Sequence, residues 1–277
     1  MRAVGGVILT MPTPGQAVSS VFRGIQWGLD RMVSVGYGVM YDYIVARFRP
    51  YQELHGEVLR LVEASVAPGA NRREVRVLDV ACGPGNFTLE VAGAGFDTVG
   101  IDAYAGLVDL AREKRKAHHL ANLAFRHADL TRGGTFPDAS FDQVVNIHSL
   151  YVQPDPQRLL REVHRILKPG GRAVFVNFTR RVWLRSAVRD VKRREGTGAA
   201  LRSLLWVLPN SVFEATRKRV RPQYWEETEF AAQLKEAGFR VLELRRTFFE
   251  GASLLAWVSK EDESDRLGEP DRRRQVS

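Results

Sequence analysis

Two carboxylates, Asp102 and Asp129, fall at or just after the ends of two expected strands, and two glycines, Gly83 and Gly85, follow a third. Glycines at a tight turn let a ligand meet bare backbone. A helix starting behind them offers unpaired N–H groups to an anion. A carboxylate at Asp102 can accept both hydroxyls of a ribose. One at Asp129 can take the amino group of adenine, while the Leu130 N–H faces a ring nitrogen. Asn146 and His148 would stand near the reactive end of such a ligand. His148 is the candidate base for a protic acceptor, Tyr151 could orient that acceptor, and Tyr43 is a further catalytic candidate. Any single strand-end aspartate is also explained as a helix N-cap. Their joint placement at successive strand ends is what singles them out.

The turn does not complete a dinucleotide fingerprint. Ala81, Gly83 and Asn86 occupy the positions of G-x-G-x-x-G, and the third glycine is missing. Cys82 reads as a small residue of the turn rather than a nucleophile.

The elements that must hold these residues follow from periodicity. Residues 1–16 have no period and read as a flexible leader. Val18, Val21, Phe22, Ile25, Leu29, Met32 and Val33 repeat at helical spacing. With the helix marked by Leu54, Val58, Leu59 and Val62 they make an N-terminal helical cap over 17–67. Strands are expected over 75–80, 98–102, 123–127, 141–147 and 172–178, alternating with helices, inside a core spanning 68–178. Leu167-Lys168-Pro169-Gly170-Gly171 is expected to stop the last of those helices. An insertion fills 179–224 and the core resumes over 225–260. There a helix precedes two strands, 239–247 and 253–259, whose short turn forces them antiparallel. The charged stretch 261–277 reads as a disordered tail. The fold class is α/β: a Rossmann-like, seven-stranded, mostly parallel sheet with an antiparallel C-terminal hairpin and helices on both faces.

A single cysteine in 277 residues excludes an intramolecular disulfide framework and a cysteine-rich zinc site, which suits a reducing cytoplasm. No His/Cys/Asp/Glu grouping has metal-ligand spacing, so no metal is expected. No run reaches the ~18 apolar residues of a spanning helix. The net charge of +9 is concentrated: residues 180–222 hold twelve Lys/Arg against three Asp/Glu.

Taken in order, Asp79-Val80-Ala81-Cys82-Gly83-Pro84-Gly85, Gly100-Ile101-Asp102, His127-Ala128-Asp129-Leu130, Phe141-Asp142-Gln143-Val144-Val145 and Leu167-Lys168-Pro169-Gly170-Gly171 resemble the motifs of class I S-adenosylmethionine-dependent methyltransferases. The resemblance covers roughly 73–178 and is strongest to the small-molecule branch that includes ubiquinone- and menaquinone-biosynthesis enzymes. It implies S-adenosyl-L-methionine as cofactor. Asp79 and the turn of Ala81, Cys82, Gly83, Gly85 and Asn86 would hold its methionine part. Asp102 with Ala103 would hold the ribose, Asp129 with Leu130 the adenine, and Asn146 would border the reactive end. The segment from Tyr41 to Phe48 resembles, more loosely, one that closes over the cofactor in that branch. The implied reaction is an in-line displacement, in which the protein orients and desolvates while the cofactor carries the difficult chemistry.

The expected acceptor is small and lipophilic: a lipid, quinone or natural product. An RNA or protein methyltransferase and a non-catalytic nucleotide-binding module are the alternatives. Strand four ends in Asn146-Ile147-His148-Ser149-Leu150, unlike the Pro-Pro-Tyr-type motif of many enzymes that methylate polymer amino groups. In the insertion, Leu184, Ala187, Val188 and Val191 form one apolar stripe, and Leu201, Leu204, Leu205 and Leu208 a second. It reads either as a lid with solvated charges or as a contact with an anionic membrane, where each Lys or Arg contributes ~1 kcal/mol. The second reading makes the protein cytoplasmic and peripheral at a membrane's inner face. Nucleic acid is disfavoured as a partner, because no RNA-binding module stands beside the basic run.

Overall fold

The computed structural model describes residues 36, 38, 41, 42, 46, 48–179, 184–201, 223–248 and 251–262. The leader, the first amphipathic helix, Tyr43, the second leucine stripe beyond Leu201 and the tail beyond Asp262 lie outside the described residues.

The first helix whose bounds are described, α1 (Arg49–Ala64), starts earlier than its leucines suggest. Pro50 sits in its first turn, where a missing N–H breaks no intrahelical bond. Tyr51, Leu54, His55, Val58 and Val62 form its buried side. Then come β1 (Arg76–Val80), α2 (Asn86–Gly93), β2 (Asp97–Asp102), α3 (Ala105–Ala117), β3 (Leu123–His127), β4 (Phe141–Ile147) and α4 (Pro156–Ile166). They are followed by β5 (Leu167–Phe178), α5 (Leu184–Glu195), α6 (Glu227–Glu236), β6 (Phe239–Thr247) and β7 (Ser253–Lys260).

The strands form one seven-stranded sheet in the order β3-β2-β1-β4-β5-β7-β6. The first five strands are parallel to one another, and β7 lies antiparallel between β5 and β6. Such a sheet must be covered on both faces, which is why its central strands are near-continuous apolar runs. Successive residues alternate between two packed layers. Leu78, Val144 and Phe175 pack with Leu160 and Val163 of α4 and Phe230 of α6. Val77, Val145 and Val174 pack with Tyr51 and Val58 of α1 and Phe87 of α2.

One expectation needs correction. The stretch from Leu167 to Gly171 does end α4, but it also begins β5: Leu167 pairs with Phe141 before the register shifts. Strand order reverses between β1 and β4, so the crevice beyond their carboxyl ends is where this kind of sheet admits a ligand.

Candidate active site

The crevice is floored by the turn between β1 and α2. Ala81, Gly83 and Gly85 have φ of 58, 54 and 80°, left-handed conformations in alternation. A Cβ on Gly83 would meet nothing within 4 Å, so this backbone borders open space. A Cβ on Gly85 would lie 2.6 Å from Phe125 Cζ, so packing alone demands glycine there. The Cys82 thiol is pushed well up by burial and by the nearby Asp79 and Asp102 charges, which makes it inert as a nucleophile.

Asp79 is 4% exposed, and its Oδ2 accepts a 2.6 Å bond from Thr88 Oγ1. Among the described residues no cation pairs with it. Burial raises its carboxyl to about 7, against the Thr88 bond and with help from the Asp102 and Glu90 charges. Asp102, at the end of β2, accepts from Gly83 N at 2.9 Å and Tyr104 N at 2.8 Å. It therefore braces the glycine turn and the chain just before α3 at once. Ala103 beside it is exposed, and its carbonyl lies 2.9 Å from His127 Nε2. Asp129 behaves as the N-cap that any strand-end aspartate could be. Its Oδ1 accepts from Thr131 N at 3.0 Å and Thr131 Oγ1 at 2.6 Å, and Leu130 behind it is buried.

Asn146 ties the switch point together. Its Nδ2 donates to Val80 O at 2.9 Å and to Ser149 Oγ at 2.5 Å, while its buried Oδ1 has no hydrogen-bond partner among the described residues. A buried acceptor left open is costly unless something else fills it.

Beyond β4 the chemistry changes. His148 has φ 52°, and its N–H bonds Val176 O at 2.8 Å. Asn146, on the same strand face as Val144, looks into the α4–α6 layer. The left-handed turn carries the His148 ring to the other side, where it stacks on Phe178 at 3.9 Å and meets Tyr51 and Phe248 edge-on. Its Nε2 lies 2.8 Å from Ser253 Oγ, and its Nδ1 is buried without a partner among the described residues. Burial, with the His55 charge adding, lowers its pKa to about 3, so near neutral pH this ring is uncharged and a weak proton acceptor. Tyr151 stands edge-on to Phe178 at 5.1 Å and stacks on Tyr224 at 5.7 Å. The insertion joins this aromatic layer: Val191, Ala199 and Ala200 are buried in it, whereas Lys192, Arg193 and Arg194 on α5 are exposed.

The N-terminal segment reaches the glycine turn. Asn86 Nδ2 donates to Asp42 Oδ1 at 2.9 Å, Lys114 Nζ of α3 donates to Asn86 Oδ1 at 2.7 Å, and Lys114 also pairs with Asp42. Burial lowers the Lys114 pKa and Asp42 opposes that shift. A Cβ on Gly38 would lie 2.9 Å from Leu110 Cδ2, so this segment packs directly on α3.

Sequence reading did not mark the pair of His55 on α1 and Glu90 on α2, whose Nδ1 and Oε1 are 2.8 Å apart. One signal was available: His55 stands four residues after Tyr51 on an otherwise apolar stripe, where a titratable side chain is unusual.

A family model described as a methyltransferase domain matches residues 45–244. The demethylmenaquinone methyltransferase of Listeria welshimeri is 31% identical over 168 residues, covering 60% of this chain and 64% of its own length. The 23S rRNA (uracil(1939)-C(5))-methyltransferase RlmD of Stenotrophomonas maltophilia is 37% identical over 128 residues, 46% of this chain but 26% of its own. Among solved structures, a SAM-dependent methyltransferase from Aquifex aeolicus shares the fold with a TM-score of 0.52 at 16% identity, covering 78% of this chain and 92% of its own. The Synechocystis magnesium protoporphyrin IX methyltransferase with bound SAH does so with a TM-score of 0.53 at 17% identity, covering 76% and 84%. An anionic, open-backed glycine turn suits a cofactor with a cationic amino acid end and a ribose. By these matches the chain belongs to the methyltransferase-domain family, and it shares the fold of the S-adenosylmethionine-dependent enzymes among the solved structures.

Proposed function

We propose that the protein transfers a methyl group from S-adenosyl-L-methionine to a small, lipophilic acceptor. The observation that carries this reading is the meeting of two unlike surfaces at the switch point. On one side lies the buried, cation-free carboxylate of Asp79 beside open glycine backbone. On the other lies an aromatic wall of Tyr51, His148, Phe178 and Phe248.

In this reading Asp79 faces the cofactor's ammonium, Gly83 and Gly85 give its chain room, and Asp102 takes the ribose hydroxyls. Leu130 borders the adenine, and Asp129 would exchange its Thr131 bonds for the adenine amino group. In this reading Asn146 borders the cofactor's reactive end. The cofactor supplies an activated methyl group when bound, and the chain's own part is to bind, orient and exclude water. The aromatic wall favours a flat, apolar acceptor, in keeping with the demethylmenaquinone methyltransferases among its relatives. The insertion acts as a lid on that wall, and its exposed cations suit an anionic lipid surface from which such an acceptor would be drawn. Among the described residues no helix is long and apolar enough to cross a membrane.

A second reading, transfer to RNA, is favoured by the basic insertion and by the similarity to RlmD.

The test uses methyl-labelled S-adenosyl-L-methionine, purified protein and a lysate of the source cells, with products partitioned between organic solvent and water. Label in the organic phase, lost in Asp102→Ala, is expected. Label in nuclease-sensitive material instead would replace the small acceptor with RNA. Cofactor binding without any transfer would leave a nucleotide-binding module.

A further inference from the structure

His55 and Glu90 have no part in the function proposed above. His55 is 2% exposed on the buried side of α1, and its Nδ1 meets Glu90 Oε1 at 2.8 Å. The Glu90 side chain is 41% exposed, so Nδ1 points outward, toward solvent. Because the two ring nitrogens lie on different edges, Nε2 faces away from Glu90. The same ring meets Phe87 edge-on at 5.2 Å and Tyr51 at 6.3 Å. Phe87 is in the first turn behind the glycine turn, and Tyr51 is part of the aromatic wall. The imidazole thus stands where the two surfaces meet. A carboxylate accepting from Nδ1–H fixes the tautomer whose Nε2 carries a lone pair, and it stabilises the imidazolium that forms when that lone pair takes a proton.

We infer that His55, held by Glu90, is the general base of the transfer, and that the acceptor is accordingly a protic one, carrying an enolic or phenolic O–H or an N–H. The inference rests on the proposed function and names the acceptor chemistry of that same site. The proton leaves the acceptor for His55 Nε2 as the acceptor's electron pair forms the new bond to the methyl carbon. The carbon–sulfur bond breaks with its electrons going to sulfur, which becomes a neutral thioether. His55 Nε2 then returns the proton to solvent once the product has left, with Glu90 holding Nδ1–H throughout. His148, the base suggested by strand order, instead stays neutral against Phe178 and helps shape the wall. Among the described residues, the ionisable groups facing His55 are Glu90 from α2, His148 from the end of β4 and Tyr51 from its own helix. Glu90 is the positioning residue, and its charge also reaches Asp79.

The measurement is single-turnover transfer of label from methyl-labelled S-adenosyl-L-methionine to an organic extract of the source cells, alongside calorimetric cofactor binding. His55→Gln, which can still bond Glu90, should lower the transfer rate by roughly 10²- to 10⁴-fold with cofactor affinity unchanged. Glu90→Gln should lower it by about tenfold, since only the orientation and the imidazolium partner are lost. Imidazole added to His55→Ala should restore part of the rate, which a purely structural role would not allow. Full transfer by His55→Gln overturns the inference alone. So does a His55→Gln variant that loses cofactor affinity and melting temperature in step with rate, with no imidazole rescue of His55→Ala, because the pair is then a brace between α1 and α2. A wild-type protein that moves no label overturns the transfer reading, and this inference with it.

Discussion

The ends of β1, β2 and β3 and the ends of β4, β5 and β7 belong to one sheet but are built on different principles. The first group is organised by hydrogen bonds within a short stretch: Asp102 to Gly83 and Tyr104, Asp79 to Thr88, Asp129 to Thr131. The second is organised by rings that come from α1, the end of β4, β5 and the turn before β7. A site made of local polar bonds depends on backbone conformation and tolerates few residue types. A site made of distant rings depends on summed packing, and its shape can change one side chain at a time. The difference suits a protein with a fixed cofactor and an acceptor set by lineage.

The comparison can be broken from either side. The largest effect is expected for Gly85→Ala, which puts a Cβ 2.6 Å from Phe125 at φ 80°. Folding stability should fall by about 3 kcal/mol, read as a lower denaturation midpoint, because overpacking and left-handed strain add. Phe125→Leu in the same chain should recover the packing part; no recovery would assign the whole loss to the backbone. Asp102→Ala comes next. Losing charge-assisted bonds worth roughly 1.5–3 kcal/mol should weaken cofactor binding about a hundredfold by calorimetry, while the ring signals of His148 stay where they were. If those signals move as well, the two groups of strand ends are not independent.

Asp79 gives a pH effect of intermediate size. Its carboxyl is raised from 3.8 to about 7, so the folded state holds a proton that the unfolded chain has released. The ligand-free protein is therefore favoured by this group below about pH 4 and loses that contribution as pH rises through about 7. A cationic ligand end favours the ionised form, so cofactor affinity should run the other way and tighten about tenfold from pH 6 to pH 8. Asp79→Asn should flatten both profiles, and a profile that survives the substitution would assign it to another group. The smallest effect is expected on the aromatic side. Phe178→Leu, losing the stack on His148, should raise the acceptor KM about fivefold, worth ~1 kcal/mol, with the cofactor Kd unchanged.

The same contrast explains what the chain's residues disclose before folding. Strands over 123–127, 141–147 and 239–247 match β3, β4 and β6 residue for residue, because apolar runs bounded by turn residues leave little freedom. The glycine turn and the strand-end aspartates are legible for a similar local reason. Two boundaries were not: Pro50 lies within the first turn of α1, and Leu167 pairs into the sheet as α4 ends. The His55–Glu90 pair joins residues 35 positions apart on two helices, and the one local sign, a histidine on an apolar stripe, does not name its partner. His148 was placed correctly at the end of β4. Its depressed pKa depends on Phe178, Tyr51 and Phe248, whose arrival around the ring only the packed structure shows.

The antiparallel placement of β7 also sets an order of assembly. The ribosome makes β5 and β6 before the strand that separates them, and β7 then pairs with β5 over seven residues and with β6 along its length. Until it arrives, β5 and β6 each present an open edge, and the aromatic wall has no Ser253 beside His148. Nascent chains at that stage carry the unpaired edges that chaperones cover. A frameshift or proteolytic cut after Thr247 would thus remove an interior strand rather than a peripheral one, leaving a half-made sheet prone to join its copies.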